Sequence, residues 1–220
     1  MPHLTPQPRA VIFDFDGTIA DTRAHIVRSY QETFQRLGLP VPDADRIIET
    51  IGVPLRRSFQ AVTGARERDL DHSITTHREV CRELGFDDIK PFPGISRVIQ
   101  ALATRKVPLA IASSRSHESL DEMVANLGLT GHFRIIAGPE DAAREKPYPD
   151  LLLALADRLG LAPASLLMVG DTTFDIEMGH GAGALTCAVT WGNHTRSTLA
   201  ATHPTVMVDD TAELAVLLDV

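Results

Sequence analysis

Two aspartates separated by one residue, Asp14 and Asp16, follow an apolar run and precede Gly17. Because side chains alternate between the faces of a strand, the two carboxylates begin on the same side, and the glycine lets the backbone fold back behind them. Adjacent carboxylates repel each other, and a cation that prefers oxygen ligands, such as Mg²⁺, allows both to stay ionised. The spacing therefore predicts a strand that delivers a metal-binding acid pair to a loop.

Short apolar, branched segments alternate with segments of helix length along most of the chain. This alternation is typical of a parallel sheet with helices on both faces. The predicted strands are Ala10–Phe13, Val107–Ala112, Phe133–Ala137, Leu166–Val169, Ala184–Thr190 and Thr205–Val208. We therefore predict an α/β fold built on a doubly wound, Rossmann-like parallel sheet.

The long interval between the first two predicted strands shows helical spacing and no strand pattern. Ile26, Tyr30 and Phe34 recur every four residues, and a second apolar stripe runs from Leu70 to Leu84. These stripes predict an inserted all-helical cap domain over residues 21–90. The catalytic core would then comprise residues 1–20 and 91–220, with hinges at 21–22 and 90–94.

Polar residues follow four of the predicted strands, at the sheet edge where ligands bind in doubly wound folds. They are Asp14 and Asp16, then Ser113, Ser114 and Arg115, then Lys146, and finally Asp171 and Asp175. A hydroxyl and backbone N–H groups at a helix start suit an anion. Lys146 is one of only three lysines, and the prolines around it fix its approach. The sequence thus predicts one site that combines acids, a hydroxyl and a cation.

In this order, these residues resemble the four motifs of the haloacid dehalogenase-like hydrolases, in the phosphatase branch with a helical cap. The matching residues are Asp14–Thr18, Ser113, Lys146, and Gly170–Asp171 with Asp175. The resemblance covers almost the whole chain, and the tail, with Trp191–Gly192 and residues 204–218, is similar to the phosphoglycolate phosphatase subgroup.

The resemblance implies catalytic roles for four of these residues. Asp14 would attack phosphorus to form an aspartyl-phosphate, and Asp16 would protonate the leaving alkoxide and later activate water. Lys146 would contact Asp14 and the phosphoryl oxygens, and Ser113 would bind one of those oxygens. An acid at position 16 favours phosphate esters over carbon–halogen bonds, because only the ester requires protonation of an alkoxide.

Further residues are predicted to bind the metal or the substrate. Mg²⁺ would be held by Asp14, Asp171 and the carbonyl of Asp16, with Asp175 on the metal side through water. Asp175 also fits a capping box with Thr172. Candidate phosphate or substrate ligands are Gly17, Thr18, Ser114, Arg115 and Arg56, the last in a cap loop with Arg57.

The leading interpretation is a Mg²⁺-dependent phosphatase acting on a small anionic phosphomonoester, with 2-phosphoglycolate as the best guess. A phosphosugar mutase is an alternative, although Leu55 stands where such enzymes are expected to carry a phosphate-gripping arginine. A pyrophosphatase or nucleotidase of the same superfamily is another. Outside enzymes, a phospho-acceptor signalling domain also places an Asp, a hydroxyl and a Lys at sheet ends, but it needs neither Asp16 nor a long cap.

Composition limits the class of partner. The net charge of −8 over 220 residues argues against binding to a nucleic-acid backbone and favours a small phosphorylated metabolite. No apolar run is long enough to span a bilayer, and residues 1–9 lack the apolar segment of a signal peptide. Two cysteines, Cys81 and Cys187, and nine scattered histidines predict no disulfide or zinc site. We expect a cytoplasmic protein and leave its oligomeric state open.

Overall fold

The computed structural model describes residues 4, 6–64 and 67–220. The strands are β1 (Ala10–Phe13), β2 (Ala20–Asp21), β3 (Lys90–Pro91), β4 (Leu109–Ala112), β5 (Ile135–Ala137), β6 (Leu166–Gly170), β7 (Leu185–Val189) and β8 (Val206–Val208). The α-helices are α1 (Arg23–Arg36), α2 (Ala44–Ile48), α3 (Leu55–Thr63), α4 (Glu67–Leu84), α5 (Ile95–Thr104), α6 (His117–Asn126), α7 (Asp150–Leu159), α8 (Thr173–Ala182), α9 (Arg196–Ala200) and α10 (Thr211–Leu217). Part of the N-terminal segment interpreted as lacking a signal peptide, residues 1–3 and 5, lies outside this description.

The main sheet is parallel and has the strand order β5-β4-β1-β6-β7-β8. The first strand, β1, is central: Phe13 is level with Ile111 of β4 on one side and with Val169 of β6 on the other. All six predicted strands are present, some shorter by one or two residues at their ends. The predicted doubly wound α/β fold is confirmed.

The two faces of the sheet bury alternate residues of each strand, as a period of two requires. Val11 and Phe13 of β1 belong to a core that includes α5, α6 and α10. Ala10 and Ile12 belong to a second core against α7, with a contribution from α8. Helices therefore cover both faces of the sheet, and the carboxyl ends of its parallel strands lie together at one edge.

The segment between β2 and β3 is helical, and its helices pack around a core of their own. This core contains Tyr30, Phe34, Ile47, Phe59, Val62 and Leu70. The rings of Tyr30 and Phe59 are stacked with their centroids 4.7 Å apart. The predicted inserted helical cap is confirmed. No helix in the described ranges has the combination of length and apolar content that a bilayer crossing requires.

The expectation that no strand lies between residues 20 and 90 was wrong at both ends of that interval. Strands β2 and β3 pair antiparallel, with Ala20 opposite Pro91 and Asp21 opposite Lys90. Two-residue strands are too short for an alternation pattern to be visible in the sequence. The two-stranded ribbon of β2 and β3 includes residues of both predicted hinges. The domain limits at 20/21 and 90/91 stay a prediction.

Candidate active site

The carboxyl ends of the central strands bring most of the predicted site residues together. Asp14 follows β1, Ser113 follows β4 and Asp171 follows β6. Backbone bonds hold these positions, since Asp14 N donates to Val169 O at 2.9 Å and Ser113 N donates to Ala137 O at 3.1 Å. Parallel neighbours thus extend past their last paired residues and present their side chains at a common edge.

A buried lysine lies between two buried aspartates at this edge. Lys146 Nζ donates to Asp14 Oδ1 at 2.8 Å and to Asp175 Oδ1 at 2.6 Å. The other oxygen of Asp175 accepts from the backbone N and the hydroxyl of Thr172, at 3.0 and 2.7 Å. Asp175 therefore both closes the predicted capping box and fixes Lys146. Burial lowers the pKa of Lys146, but the two aspartates outweigh it and hold the pKa above its ordinary value.

Asp14, Asp171 and Asp175 form a buried three-acid cluster, in which one oxygen from each lies within 4.8 Å of the others. Burial, followed by the charge of Asp175, raises the pKa of Asp14 well above its usual range, against the effect of Lys146. Burial and Asp175 likewise raise the pKa of Asp171 to about 7. A cluster of oxygen donors with more negative than positive charge suits a divalent cation.

The carboxylate of Asp171 is held by two residues. The Thr18 hydroxyl donates to Oδ1 at 2.9 Å, and Asn193 donates to Oδ2 from its backbone N at 2.7 Å and its side chain at 2.9 Å. Gly17 lies close behind, since an added Cβ there would be 2.2 Å from Asp171 Oδ2. The Gly17 N–H donates to Ala20 O at 2.9 Å. Gly17 and Thr18 were predicted to contact phosphate. In the structure the Gly17 N–H donates within its own loop, and the Thr18 hydroxyl donates to Asp171.

The carboxylate of Asp16 points to a different set of partners. Arg115 Nε donates to both of its oxygens, at 2.9 and 2.7 Å, and the Thr22 hydroxyl donates to Oδ1 at 2.6 Å. The carbonyl of Asp16, the atom predicted to bind metal, accepts a long bond of 3.5 Å from Asn193. Arg115, predicted to bind phosphate, is therefore paired with the second acid of the motif in this structure.

A cavity of about 860 Å³ separates the helical segment from this edge of the sheet and includes Asp14 and Asp16 in its wall. The predicted cap loop lines it, and the hydroxyl of Ser114 donates to Gly52 O of that loop at 3.0 Å. Arg56 lines the cavity and forms an ion pair with Asp71. The cavity therefore contains both the predicted phosphate site and the predicted substrate-binding arginine.

Several polar residues of the site were not predicted from the sequence. Asn193 lies in the loop after β7, and Thr22 directly precedes α1, and neither belongs to a recognisable motif. His25, on the first turn of α1, is buried in the cavity wall, with Nδ1 3.3 Å from Asp88. Its Nε2 has no hydrogen-bond partner among the described residues. Only the N-cap position of Thr22 could have been identified from the sequence, because Thr is a preferred capping residue.

Comparison with known proteins identifies the family. Residues 11–189 match the profile of the family described as "Haloacid dehalogenase-like hydrolase". The chain belongs to the haloacid dehalogenase-like hydrolases. The protein named "Probable phosphatase IndB" from Dickeya dadantii is 34% identical over 208 residues, covering 93% of this chain and 90% of that relative.

Two further relatives support the assignment to the haloacid dehalogenase-like hydrolases. A "Phosphoglycolate phosphatase" from Aquifex aeolicus is 30% identical over 184 residues, covering 84% of this chain and 85% of that relative. A solved structure of a hydrolase from this family, from Streptococcus pneumoniae, has a TM-score of 0.85 at 27% identity and covers 97% of this chain and 99% of that one. The predicted resemblance to this family and to its phosphoglycolate phosphatase-like members is confirmed, and the chain is a hydrolase.

Proposed function

We propose that this haloacid dehalogenase-like hydrolase is a Mg²⁺-dependent phosphatase that acts on a small anionic phosphomonoester, with 2-phosphoglycolate as the best candidate. The observation that carries the proposal is the buried contact of Lys146 with both Asp14 and Asp175, within a cluster of acids at the strand ends. The names of the phosphatase relatives point to the same chemistry.

The proposed reaction begins with attack by Asp14 on phosphorus, which forms an aspartyl-phosphate. Lys146 holds Asp14 in place, and its ammonium has a third donor for a phosphoryl oxygen. The hydroxyl oxygen of Ser113 accepts the backbone N–H of Arg115 at 3.2 Å, so the hydroxyl proton is free to donate to a second phosphoryl oxygen. Ser114 is proposed to assist through its backbone N–H.

Asp16 is proposed to protonate the leaving alkoxide and then to activate the water that hydrolyses the aspartyl-phosphate. Asp14, Asp171 and the Asp16 carbonyl are proposed to hold the cation, with Asp175 on the same side through water. When bound, Mg²⁺ neutralises charge on the transferring oxygens. The donor set fits this ion, because all of the candidate ligands are oxygen atoms.

The setting favours a small phosphorylated metabolite. The cavity lies between the sheet edge and the helical segment, so we propose a core of residues 1–20 and 91–220 and a substrate-selecting cap of residues 21–90. Arg56, which was predicted to lie in a loop but stands on the first turn of α3, is proposed to bind a second anionic group of the substrate. A cytoplasmic location is proposed because Cys81 and Cys187 are both free thiols.

The test is phosphate release from p-nitrophenyl phosphate by the purified chain with and without Mg²⁺. We expect activity that Asp14→Asn abolishes and that EDTA abolishes reversibly, whereas Asp21→Asn, an exposed acid nearby, keeps it. A panel of phosphorylated metabolites that includes pyrophosphate and nucleotides would then identify the substrate. Absence of turnover on every phosphoester would refute the proposal, and an isomerised sugar phosphate without free phosphate would indicate a mutase.

A further inference from the structure

The side chain of Arg115 reaches into the cavity, and its main contact is Asp16. The two side chains are only 16% and 12% exposed, and Nε lies within hydrogen-bond distance of both carboxylate oxygens. Nη1 donates to Ser119 at 3.3 Å. A guanidinium carries five N–H donors in a rigid fork, so Arg115 keeps donors for a further acceptor in the cavity.

The contacts of Asp16 conflict with its proposed chemistry. Oδ1 of Asp16 accepts hydrogen bonds from Arg115 and Thr22, and Oδ2 accepts one from Arg115, so both oxygens are engaged. Transfer of a proton to a leaving alkoxide requires one of these oxygens to reach the ester oxygen instead. The observed pair therefore has to separate before Asp16 can act as the acid.

Separation leaves a largely buried guanidinium without its carboxylate, which is strongly unfavourable unless another anion replaces it. A carboxylate on the substrate is the natural replacement, because its two oxygens match the fork of an arginine. The position of Arg115 limits the length of that substrate. It lies two residues after Ser113, and its backbone N–H contacts the Ser113 hydroxyl. The second anion must therefore be close to the phosphate.

We propose that Arg115 is the specificity residue that binds a carboxylate on a short leaving group, and that it releases Asp16 when it does so. This inference rests on the proposed function, because it assumes the acid–base role of Asp16. As the bond from Asp14 to phosphorus forms, the bond from phosphorus to the ester oxygen breaks, its electron pair stays on that oxygen, and the Asp16 proton is transferred to it. The guanidinium keeps its charge throughout.

The experiment compares kcat/KM for 2-phosphoglycolate with kcat/KM for its uncharged carboxamide analogue. We expect the wild type to prefer the carboxylate by roughly 10- to 100-fold, the range for a hydrogen bond between charged groups. Arg115→Gln should bring this ratio close to one, mainly by lowering kcat/KM for the carboxylate substrate. Arg115→Lys should retain part of the preference, because it keeps the charge but loses the fork.

Arg105→Gln is the matched control, since Arg105 is a surface arginine paired with Asp219, and it should leave the ratio unchanged. Circular dichroism and thermal unfolding report whether each variant is folded. If Arg115→Gln fails to fold, Arg115→Lys carries the test. A wild type without preference, or variants that lower kcat/KM equally for both substrates, would overturn the inference. Failure of the wild type to turn over any phosphoester would instead refute the proposed function.

Discussion

The two sides of the cavity differ in how firmly their charged groups are held. On the sheet side, Asp14 lines the cavity and belongs to the cluster with Lys146, Asp171 and Asp175. All four residues are at most 4% exposed, and each carboxylate has a defined partner. On the cap side, the side chains of Arg56 and Asp71 are 42% and 77% exposed. The sheet side therefore fixes a geometry that suits one reaction, whereas the cap side leaves freedom in what it contacts. Each of the following predictions tests that difference.

The largest effect is expected where the sheet side loses its buried cation. Lys146→Met leaves Asp14 and Asp175 buried without their shared ammonium, and breaking such a pair costs about 3–5 kcal/mol. We expect activity to fall by on the order of 10³-fold, because an electrostatic contact to the transferring group is also lost. Urea unfolding in EDTA and phosphate release with Mg²⁺ measure the two effects. Lys90→Met, at an exposed lysine, should change neither. A Lys146 variant with near-native activity would contradict the view that the sheet side fixes the geometry of the reaction.

A second prediction uses two glycines with the same kind of backbone. Gly17 and Gly38 have φ values of +84° and +65°, so alanine is strained at both, by roughly 1–2 kcal/mol. Only at Gly17 would the new Cβ meet Asp171, at 2.2 Å, and no atom lies within 4 Å at Gly38. Gly17→Ala should therefore weaken Mg²⁺ activation by about 10- to 100-fold, the cost of disturbing a ligand's support. Gly38→Ala should lower stability alone. If Gly17→Ala and the wild type had the same Mg²⁺ activation constant, the loop would tolerate movement of Asp171.

The dependence of stability on pH should differ between the metal-free and the Mg²⁺-bound protein. The raised pKa of Asp171, about 7, and that of Asp14 mean that the folded metal-free protein binds more protons than the unfolded chain between about pH 4 and 7. These two acids therefore make stability fall as pH rises through this window, whereas His77 and His25, whose pKa values burial lowers, act in the opposite direction. Mg²⁺ competes with these protons, so the stabilisation that it provides should grow over the same range.

Melting temperatures measured in EDTA and in excess Mg²⁺ test this prediction. A change of several degrees is expected, because about 1 kcal/mol moves Tm by roughly 2–4 °C in a chain of this size. Asp171→Asn removes the contribution of one raised pKa, so the Tm in EDTA should fall less, or rise more, from pH 4 to 7 in this variant than in the wild type. The same dependence of Tm on pH in Asp171→Asn and in the wild type would exclude a protonated Asp171 in the metal-free cluster.

The smallest effect is expected on the cap side. An exposed ion pair contributes at most about 1 kcal/mol, so Arg56→Gln should hardly change the free energy of unfolding. If Arg56 binds substrate, its loss should raise KM several-fold with little change in kcat. Asp71→Asn removes the pair but keeps the arginine, and it should leave KM unchanged or lower it. Equal increases of KM in both variants would assign the effect to the ion pair alone.

The sequence predicted the sheet and the acids at its edge because both are local patterns. Strand alternation and the position of Asp14 or Asp171 directly after a strand need no knowledge of distant residues. The contact between Arg115 and Asp16 joins residues far apart in the chain, and the direction of each side chain depends on loop conformation. The same holds for Asn193, which reaches Asp171 from the loop after another strand. Which side chains contact Asp16 and Asp171 could therefore be learned only from the three-dimensional structure.

The ribbon of β2 and β3 has a consequence for how this chain can change over evolution. Ala20 lies opposite Pro91, and Phe92 N donates to Ile19 O at 2.9 Å, so the polypeptide leaves the sheet and returns to it at one point. Segments whose two ends lie side by side can be exchanged, lengthened or removed without altering the register of the host domain. The helical segment can thus be replaced as a unit, and the wall that it contributes to the cavity can change while Asp14 and Lys146 stay in place.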